Sequence, residues 1–357
     1  MKKKTIITVL ILFITIFLII FGIFNISKNN NLNNELEDTI VNKENETIEE
    51  KNSETENVEK NNFVNYNGWL RIENNILVNE NSEPFRLKGI STHGLQWYSK
   101  FANKEMMKSL KENLDINLFR IALYTEENGY INNPSLIDKV EEIVEYAKEL
   151  DMYVIIDWHI LSDGDPLKHK EEAKIFFEKM SQKYKDYPNV IYEICNEPNG
   201  NVTWEGNIKP YAEEVISVIR KNSKDSIIIV GTPTWSQEVD KPANNKINDK
   251  NTMYALHFYS ASHGEWLRER TTEALKSIPI FVSEWGVSDA SGNGIIDKEE
   301  SLKWVEFMNK NNLSYAIWSL SDKNESSALL IPGASINNFN DDNLSEAGKL
   351  IKDLINE

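Results

Sequence analysis

The sequence predicts a (β/α)8 TIM barrel, and three observations predict it. Short apolar runs recur along the chain, rich in Ile, Val, Tyr and Phe, as in Tyr153-Val154-Ile155-Ile156 and Ile227-Ile228-Ile229-Val230. Continuous apolar runs of this length mark strands buried on both faces, which is the habit of parallel sheets. Amphipathic helical patterns alternate with them, and eight such strand–helix units suit a closed barrel. Polar and ionisable residues gather where the apolar runs end, the end of a barrel at which chemistry is carried out. A doubly wound open sheet is the alternative, but no Gly-x-Gly-x-x-Gly follows a strand, so a dinucleotide site has no support.

In chain order, Trp69–Val78 and Glu83–Arg86 flank an Asn-Glu-Asn turn and read as an N-terminal hairpin. Strands are expected near 86–92, 116–123, 152–158, 190–195, 226–230, 252–258, 279–283 and 314–319. Helices are expected near 104–113, 135–150, 169–185, 207–222, 264–276, 298–311 and 344–355. These elements assign residues 63–357 to one (β/α)8 domain.

Two further segments precede it. Lys2, Lys3 and Lys4 are followed by residues 5–24, an almost uninterrupted run of Ile, Leu, Phe and Val without charge. About 20 apolar residues is the length that spans a hydrocarbon core. With a positive flank on the inside, residues 1–24 read as a signal anchor that holds the rest at the outer face of a membrane. A cleaved signal peptide, giving a secreted protein, is the alternative, although no good Ala-x-Ala site ends the run. Residues 25–62 are rich in Asn, Glu and Lys and read as a disordered acidic linker.

The chain has 357 residues and a net charge of −17, and no basic stripe, so nucleic acid is excluded as a partner. A monomer is expected. Cys195 is the only cysteine, which rules out an intrachain disulfide and reads as a small buried hydrophobe.

Two strings carry the chemistry: Asn196-Glu197-Pro198 and Ser283-Glu284-Trp285-Gly286. Each puts a glutamate where a buried run ends. Two carboxyl groups on different strands are what cleavage of a glycosidic bond requires, one protonated to release the leaving oxygen and one ionised. Three of the five histidines, His93, His159 and His257, fall at strand ends, as do Arg120, Tyr124, Tyr259 and Trp318. His169 and His263 fall at helix starts. Polar groups converging on one barrel face need each other or a ligand for satisfaction. A metal-dependent hydrolase built on the three strand-end histidines is a competing class, but it calls for clustered ligands such as His-x-His on one strand, and none is present. A binding protein with a dead site is a third class, against which both glutamates count.

Lys88-Gly89-Ile90-Ser91-Thr92-His93-Gly94-Leu95-Gln96-Trp97-Tyr98, Phe119-Arg120-Ile121-Ala122-Leu123-Tyr124, Ile156-Asp157-Trp158-His159, Tyr192 to Pro198, His257-Phe258-Tyr259, Ser283 to Gly286 and Ile317-Trp318-Ser319-Leu320 stand in order on successive strands. With these strings the chain resembles glycoside hydrolase family 5, most closely its bacterial endo-β-1,4-glucanase branch, over about residues 65–355. The resemblance implies a retaining enzyme that needs no cofactor or metal and acts on β-glucan. It implies Glu197 as acid/base, with a pKa raised by a nearby negative charge, and Glu284 as nucleophile, held by Arg120 and Tyr259. Asn196 would bond the sugar 2-hydroxyl, and His257 would support the acid/base. His93 and His159 would line the glycone side, Tyr124 would line the substrate cleft, and Lys323 and Glu325 would contact the non-reducing-side sugar. Trp97, Trp235 and Trp318 would be stacking platforms for pyranose faces. Trp69, Trp158, Trp204, Trp266, Trp285 and Trp304 are read as core or rim packing. A β-mannanase or mixed-linkage glucanase on the same site is the nearest alternative. One string, Asp289 to Glu300, also reads against a twelve-residue Ca²⁺ loop, with oxygen donors at its positions 1, 3, 5, 9 and 12 and Gly294 at position 6. The strand before it, where a Ca²⁺ loop has a helix, counts against that reading.

Overall fold

Eight parallel strands close on themselves in the order β10-β3-β4-β5-β6-β7-β8-β9. They are β3 Lys88–Thr92, β4 Leu118–Tyr124, β5 Tyr153–His159, β6 Val190–Glu193, β7 Ile228–Val230, β8 Thr252–Tyr259, β9 Ile280–Gly286 and β10 Tyr315–Leu320. The computed structural model describes residues 63–356. The expected membrane segment at 5–24 and linker at 25–62 lie outside the described residues. Among the described residues no helix is long and apolar enough to cross a membrane.

Among the described residues seven long helices coat the barrel: α1 Lys104–Leu114, α2 Leu136–Glu149, α3 Lys170–Lys183, α4 Lys209–Arg220, α5 Glu265–Leu275, α6 Lys298–Lys310 and α7 Glu346–Asn356. Their starts follow from local chemistry. Asn103 caps α1 by accepting from Met106 N–H (2.9 Å), and Asp297 caps α6 by accepting from Glu300 N–H (3.0 Å). As in the expected set of helices, one strand–helix unit lacks a long helix. Between β7 and β8 there is no long helix, only short turns at Pro233–Ser236 and Asp240–Asn244. Pro233, Pro242 and three consecutive left-handed residues interrupt any regular helix there.

The N-terminal hairpin differs from expectation. It pairs β1 Arg71–Glu73 with β2 Ile76–Val78, turning at Asn74 and Asn75 with φ of 51° and 63°. Two left-handed residues make the two-residue turn whose twist fits paired strands, and Asn tolerates that conformation. The Asn79–Asn81 segment makes a second reversal, closed by a single Val78–Pro84 bridge. Leu70 and Leu77 of this hairpin region pack with Leu118, Tyr153, Ile191, Ile229, Met253 and Phe281, plugging the N-terminal mouth of the barrel.

Strand alternation sorts the lumen into layers. Along β4 the inward residues are Leu118, Arg120, Ala122 and Tyr124. Along β5 they are Tyr153, Ile155, Asp157 and His159. Their neighbours Phe119, Ile121, Val154, Ile156 and Trp158 belong to the outer core against the helices. The lumen is therefore apolar at one end, charged in its middle and aromatic at its C-terminal mouth.

Candidate active site

The charged layer is organised by Arg120, which is fully buried. Its Nε donates to Glu193 Oε2 (2.7 Å), Nη1 to Ser91 Oγ and Glu284 Oε2 (both 3.2 Å), and Nη2 to Asn196 Oδ1 (2.7 Å), while Asp157 Oδ2 lies 3.1 Å from Nη2 as an ion-pair partner. Four hydrogen bonds and one further ion pair thus converge on a single guanidinium, and no other side chain supplies five donors in a fixed plane. Burial disfavours its charge, but Asp157, Glu193 and Glu284 more than compensate and push its pKa up. Burial would raise the Glu193 pKa, yet Arg120 and His257 hold it at about 2. Asp157 moves up, because burial outweighs Arg120 there and Glu193 already carries the negative charge.

Glu284 Oε1 accepts from Tyr259 OH (2.7 Å), while Oε2 faces Arg120. Its placement depends on a β-bulge. Ala255 pairs with Phe281 but His257 pairs with Glu284, so β9 carries one residue more than β8 over that interval. The extra residue lets both Ser283 and Glu284 reach the lumen. Ser283 Oγ donates to Glu193 Oε1 (2.7 Å) and lies 2.9 Å from His257 Nε2.

Glu197 lies beyond β6, with its Oε1 2.9 Å from His257 Nδ1. Burial alone would lower the His257 pKa, but the Glu193 carboxylate 3.7 Å from Nε2, the hydrogen bond to Glu197 and the charge of Glu284 raise it to about 9. One oxygen of Glu197, one of Glu284 and a ring nitrogen of His257 lie within 4.8 Å of one another. Those three atoms are also the one set among the described residues spaced for a metal ion. Both Glu284 oxygens and His257 Nδ1 already have protein partners, so a cation there would have to break the Arg120, Tyr259 and Glu197 contacts. The expected negative neighbour of Glu197 is present as Glu284, accompanied by His257.

Asn196 is oriented by its neighbours. Arg120 donates to its Oδ1, so Nδ2 turns toward Ile160 O (3.1 Å) and His159 Nε2 (3.2 Å). His159 then accepts at Nε2 and carries its proton on Nδ1, 2.6 Å from Asp157 Oδ2. A sugar hydroxyl arriving at Asn196 Nδ2 competes with His159 for that hydrogen. His93 has the opposite tautomer, since Gly94 N–H donates to its Nδ1 (2.7 Å). Its Nε2 is 3.9 Å from Glu325 Oε1, and Lys323 Nζ bonds Glu325 Oε2 (2.7 Å). Tyr124 stacks on His159 with ring centroids 4.2 Å apart, and His159 and Trp318 stack at 5.3 Å. Trp318 is 7% exposed, whereas Trp97 and Trp235 stand open at 44% and 45%. Glu197, Glu284, His257, Tyr259, His93, His159, Tyr124, Lys323, Glu325 and the three tryptophans line one open cleft of about 670 Å³, and Arg120, Asp157, Glu193, Asn196 and Ser283 do not.

Trp235 is held by a strained turn. Thr234, Trp235 and Ser236 have φ of 58°, 53° and 57°. Left-handed non-glycine residues cost about 1–3 kcal/mol each and persist only where the surroundings enforce them. Here Trp235 N–H donates to Pro198 O (3.0 Å) and Ser236 Oγ to Asn196 O (2.7 Å). The turn ties the exposed indole to the segment that carries Glu197. Gly231 permits the approach, because a Cβ there would lie 2.1 Å from Cys195 O. Cys195 is buried, as expected, and burial pushes its thiol pKa up.

Several site residues escaped the sequence reading. Glu193 and Asp157 carried a usable signal, as lone acids inside buried strands with the same inward parity as Arg120. Ser283 and Ser236 carried none, since a bulge and a left-handed turn place them. His263, read only as a helix-start residue, lines the cleft and accepts at Nδ1 from Tyr259 N–H (2.9 Å). The donors of the Asp289 to Glu300 string have partners within the protein. Asp289 Oδ1 bonds Ser291 N and Oγ, Asp297 caps α6, and Glu300 pairs with Arg268.

The titrations predict a stability maximum. Burial, with lesser help from Lys323 at His93 and from Arg120 at His159, lowers both histidines to about 3, so the folded protein keeps them neutral. Below pH about 6.5 the unfolded chain takes up protons that the folded chain does not, and stability falls by about 1.4 kcal/mol per pH unit for each. His257 has the opposite sign. Its contribution is complete below its unfolded pKa of about 6.5 and is lost as pH rises through about 9. Urea unfolding across this range should peak near pH about 6.5, and His93→Gln should flatten the acid limb. An acid limb of equal slope in that variant would contradict the assignment.

The fold and the site together define a TIM-barrel protein with two facing carboxylates at the C-terminal mouth, the class that includes retaining glycosidases. Residues 78–324 match the family model for cellulase (glycosyl hydrolase family 5), and the chain belongs to that family. It is 52% identical to Endoglucanase 5 of Pectobacterium carotovorum subsp. carotovorum over 82% of this chain and 58% of that protein. It is 53% identical to Endoglucanase A of Evansella cellulosilytica over 77% of this chain and 57% of that one. The chain thus spans less than two thirds of these relatives' length. The catalytic domain of Thermobifida fusca endoglucanase Cel5A superposes with a TM-score of 0.79 at 34% identity, over 82% of this chain and 99% of that one. Cellulase Cel5C_n does so with a TM-score of 0.79 at 41% identity, over 82% and 94%.

Proposed function

We propose that the barrel is a retaining, endo-acting β-1,4-glucanase. The observation that carries this reading is the carboxylate pair, with one oxygen of Glu197 and one of Glu284 within 4.8 Å. Retaining enzymes hold their two carboxyl groups about 5–5.5 Å apart, and inverting enzymes leave a wider gap for water.

In the first step Glu284 attacks the anomeric carbon and forms an ester bond to the sugar. The glycosidic C–O bond breaks, and Glu197 gives its proton to the departing oxygen. In the second step Glu197 takes a proton from water, whose oxygen attacks the same carbon and releases Glu284. Arg120 and Tyr259 fix the nucleophile's two oxygens, so little reorganisation accompanies the attack. His257 faces Glu197 through one short hydrogen bond and supports it in both protonation states, donating as imidazolium or accepting as imidazole. Endo action is supported by the openness of the cleft, with Trp97 and Trp235 exposed at its rim. An aromatic face matches the apolar C–H face of a β-linked glucosyl unit.

A reducing-sugar assay across carboxymethylcellulose, lichenan and glucomannan tests the substrate. Hydrolysis of carboxymethylcellulose and lichenan should exceed that of glucomannan. A preference for glucomannan would turn the assignment to mannanase, and hydrolysis of lichenan alone to a mixed-linkage enzyme.

A further inference from the structure

We propose that Trp266 is the platform of an additional sugar-binding subsite, beyond Trp235 on the leaving-group side of the cleft, that takes one glucosyl unit of a long β-glucan chain. The proposal rests on the glucanase reading of the cleft and extends it.

Trp266 lies in the first turn of α5 and is 46% exposed, as open as Trp97 and Trp235. By contrast Trp158, Trp285 and Trp304 are wholly buried. The sequence reading grouped Trp266 with these as packing, and its exposure separates it from them. Its position is set from two sides. Its ring stands edge-on to His263, centroids 6.0 Å apart, and His263 lines the cleft. The Arg270 guanidinium lies 5.3 Å from its ring centroid. Arg270 Nη1 in turn donates to Gln237 O (3.4 Å), and Gln237 lines the cleft two residues after Trp235. Trp266 therefore borders the rim between the Tyr259–His263 segment and the Trp235 turn.

That rim faces the leaving group. Trp235 is bonded to Pro198, next to Glu197, and Glu197 has to reach the departing oxygen. Lys323 and Glu325 meet His93 elsewhere in the cleft, on the glycone side. A chain that passes the carboxylates and stacks on Trp235 continues toward Trp266.

The ring is also held in place before any ligand arrives. Arg270 is anchored by Asp240 (3.4 Å) as well as by Gln237, and His263 by Tyr259 N–H and by Trp304 Nε1–H on its carbonyl. An exposed indole without such supports would lose rotamer freedom on binding, and pre-ordering removes that cost. One pyranose C–H face against a fixed indole is the contact these features suit.

The test compares two substrates in one variant. Cellohexaose is long enough to reach past Trp235, and p-nitrophenyl cellobioside is not. In Trp266→Ala the ratio of kcat/KM on cellohexaose to that on the aryl cellobioside should fall about three- to tenfold, with Trp266→Phe in between. The ratio cancels any change in the fraction of folded enzyme. An unchanged ratio, including equal losses on both substrates, would overturn the subsite while leaving the glucanase reading intact. A wild-type protein that cleaves neither substrate would overturn both.

Discussion

Glu284→Ala should lose at least about a thousandfold in kcat on any β-glucan, because no second group can form the glycosyl ester. Glu197→Ala should show a comparable loss on polymer but respond differently to the leaving group. A dinitrophenyl glycoside needs no proton on departure, so Glu197→Ala should form its glycosyl ester from that substrate at nearly the normal rate. Glu284→Ala should stay inactive on both. The geometry also predicts chemical rescue. Removing the Glu284 carboxylate leaves Arg120 Nη1 and Tyr259 OH, now 3.2 and 2.7 Å from its oxygens, pointing into a small polar gap. Azide or formate suits that gap in charge and size and should restore part of the rate. Kinetics with both leaving groups, with and without azide, separate the two roles. A Glu284 variant that keeps near-normal rates would remove it as nucleophile.

Arg120→Met should be the most destabilising single change in the site. It strips the cation from Glu193, Asp157 and Glu284, all buried around it. Breaking a buried ion cluster by deleting one partner costs about 3–5 kcal/mol, far more than a surface pair. For a barrel of this size that is a fall of roughly 10 °C in Tm. Arg120→Lys keeps a charge but has a compact head that cannot bond Glu193, Ser91, Glu284 and Asn196 at once. It should recover part of the stability and little of the activity, since Asn196 and Glu284 lose their shared anchor. Urea unfolding of both variants checks the order. Stability of the Met variant within about 1 kcal/mol of wild type would show the cluster to be far weaker than its burial implies.

Much of the barrel was legible because each of its parallel strands is covered by helices and lumen. An apolar run such as Tyr153 to Ile156 suits a parallel strand covered on both faces. The same parity that put Arg120 inward was available for Asp157 and Glu193. What was not legible depends on backbone detail that residue types do not encode. The extra residue in β9 brings Ser283 and Glu284 to the same lumen, and simple alternation would have put them on opposite faces. The left-handed turn at Thr234–Ser236 uses residues that rarely adopt it, so no glycine signalled it. The chain reverses at the expected Asn79–Asn81 segment, but also earlier at Asn74-Asn75, where two adjacent left-handed-tolerant residues sit between short strands. Trp266 shows the same limit, because exposure of a tryptophan is decided by which helix turn meets the rim.

The central claim is that Glu197 and Glu284 act by double displacement. Proton NMR of the anomeric region during the first minutes of hydrolysis of a cello-oligosaccharide tests it most directly. Two inversions at one carbon restore its configuration, so the β-anomer should appear first and the α-anomer only as mutarotation proceeds. Initial appearance of the α-anomer would mean a single displacement by water and would contradict the assignment of Glu284 as nucleophile.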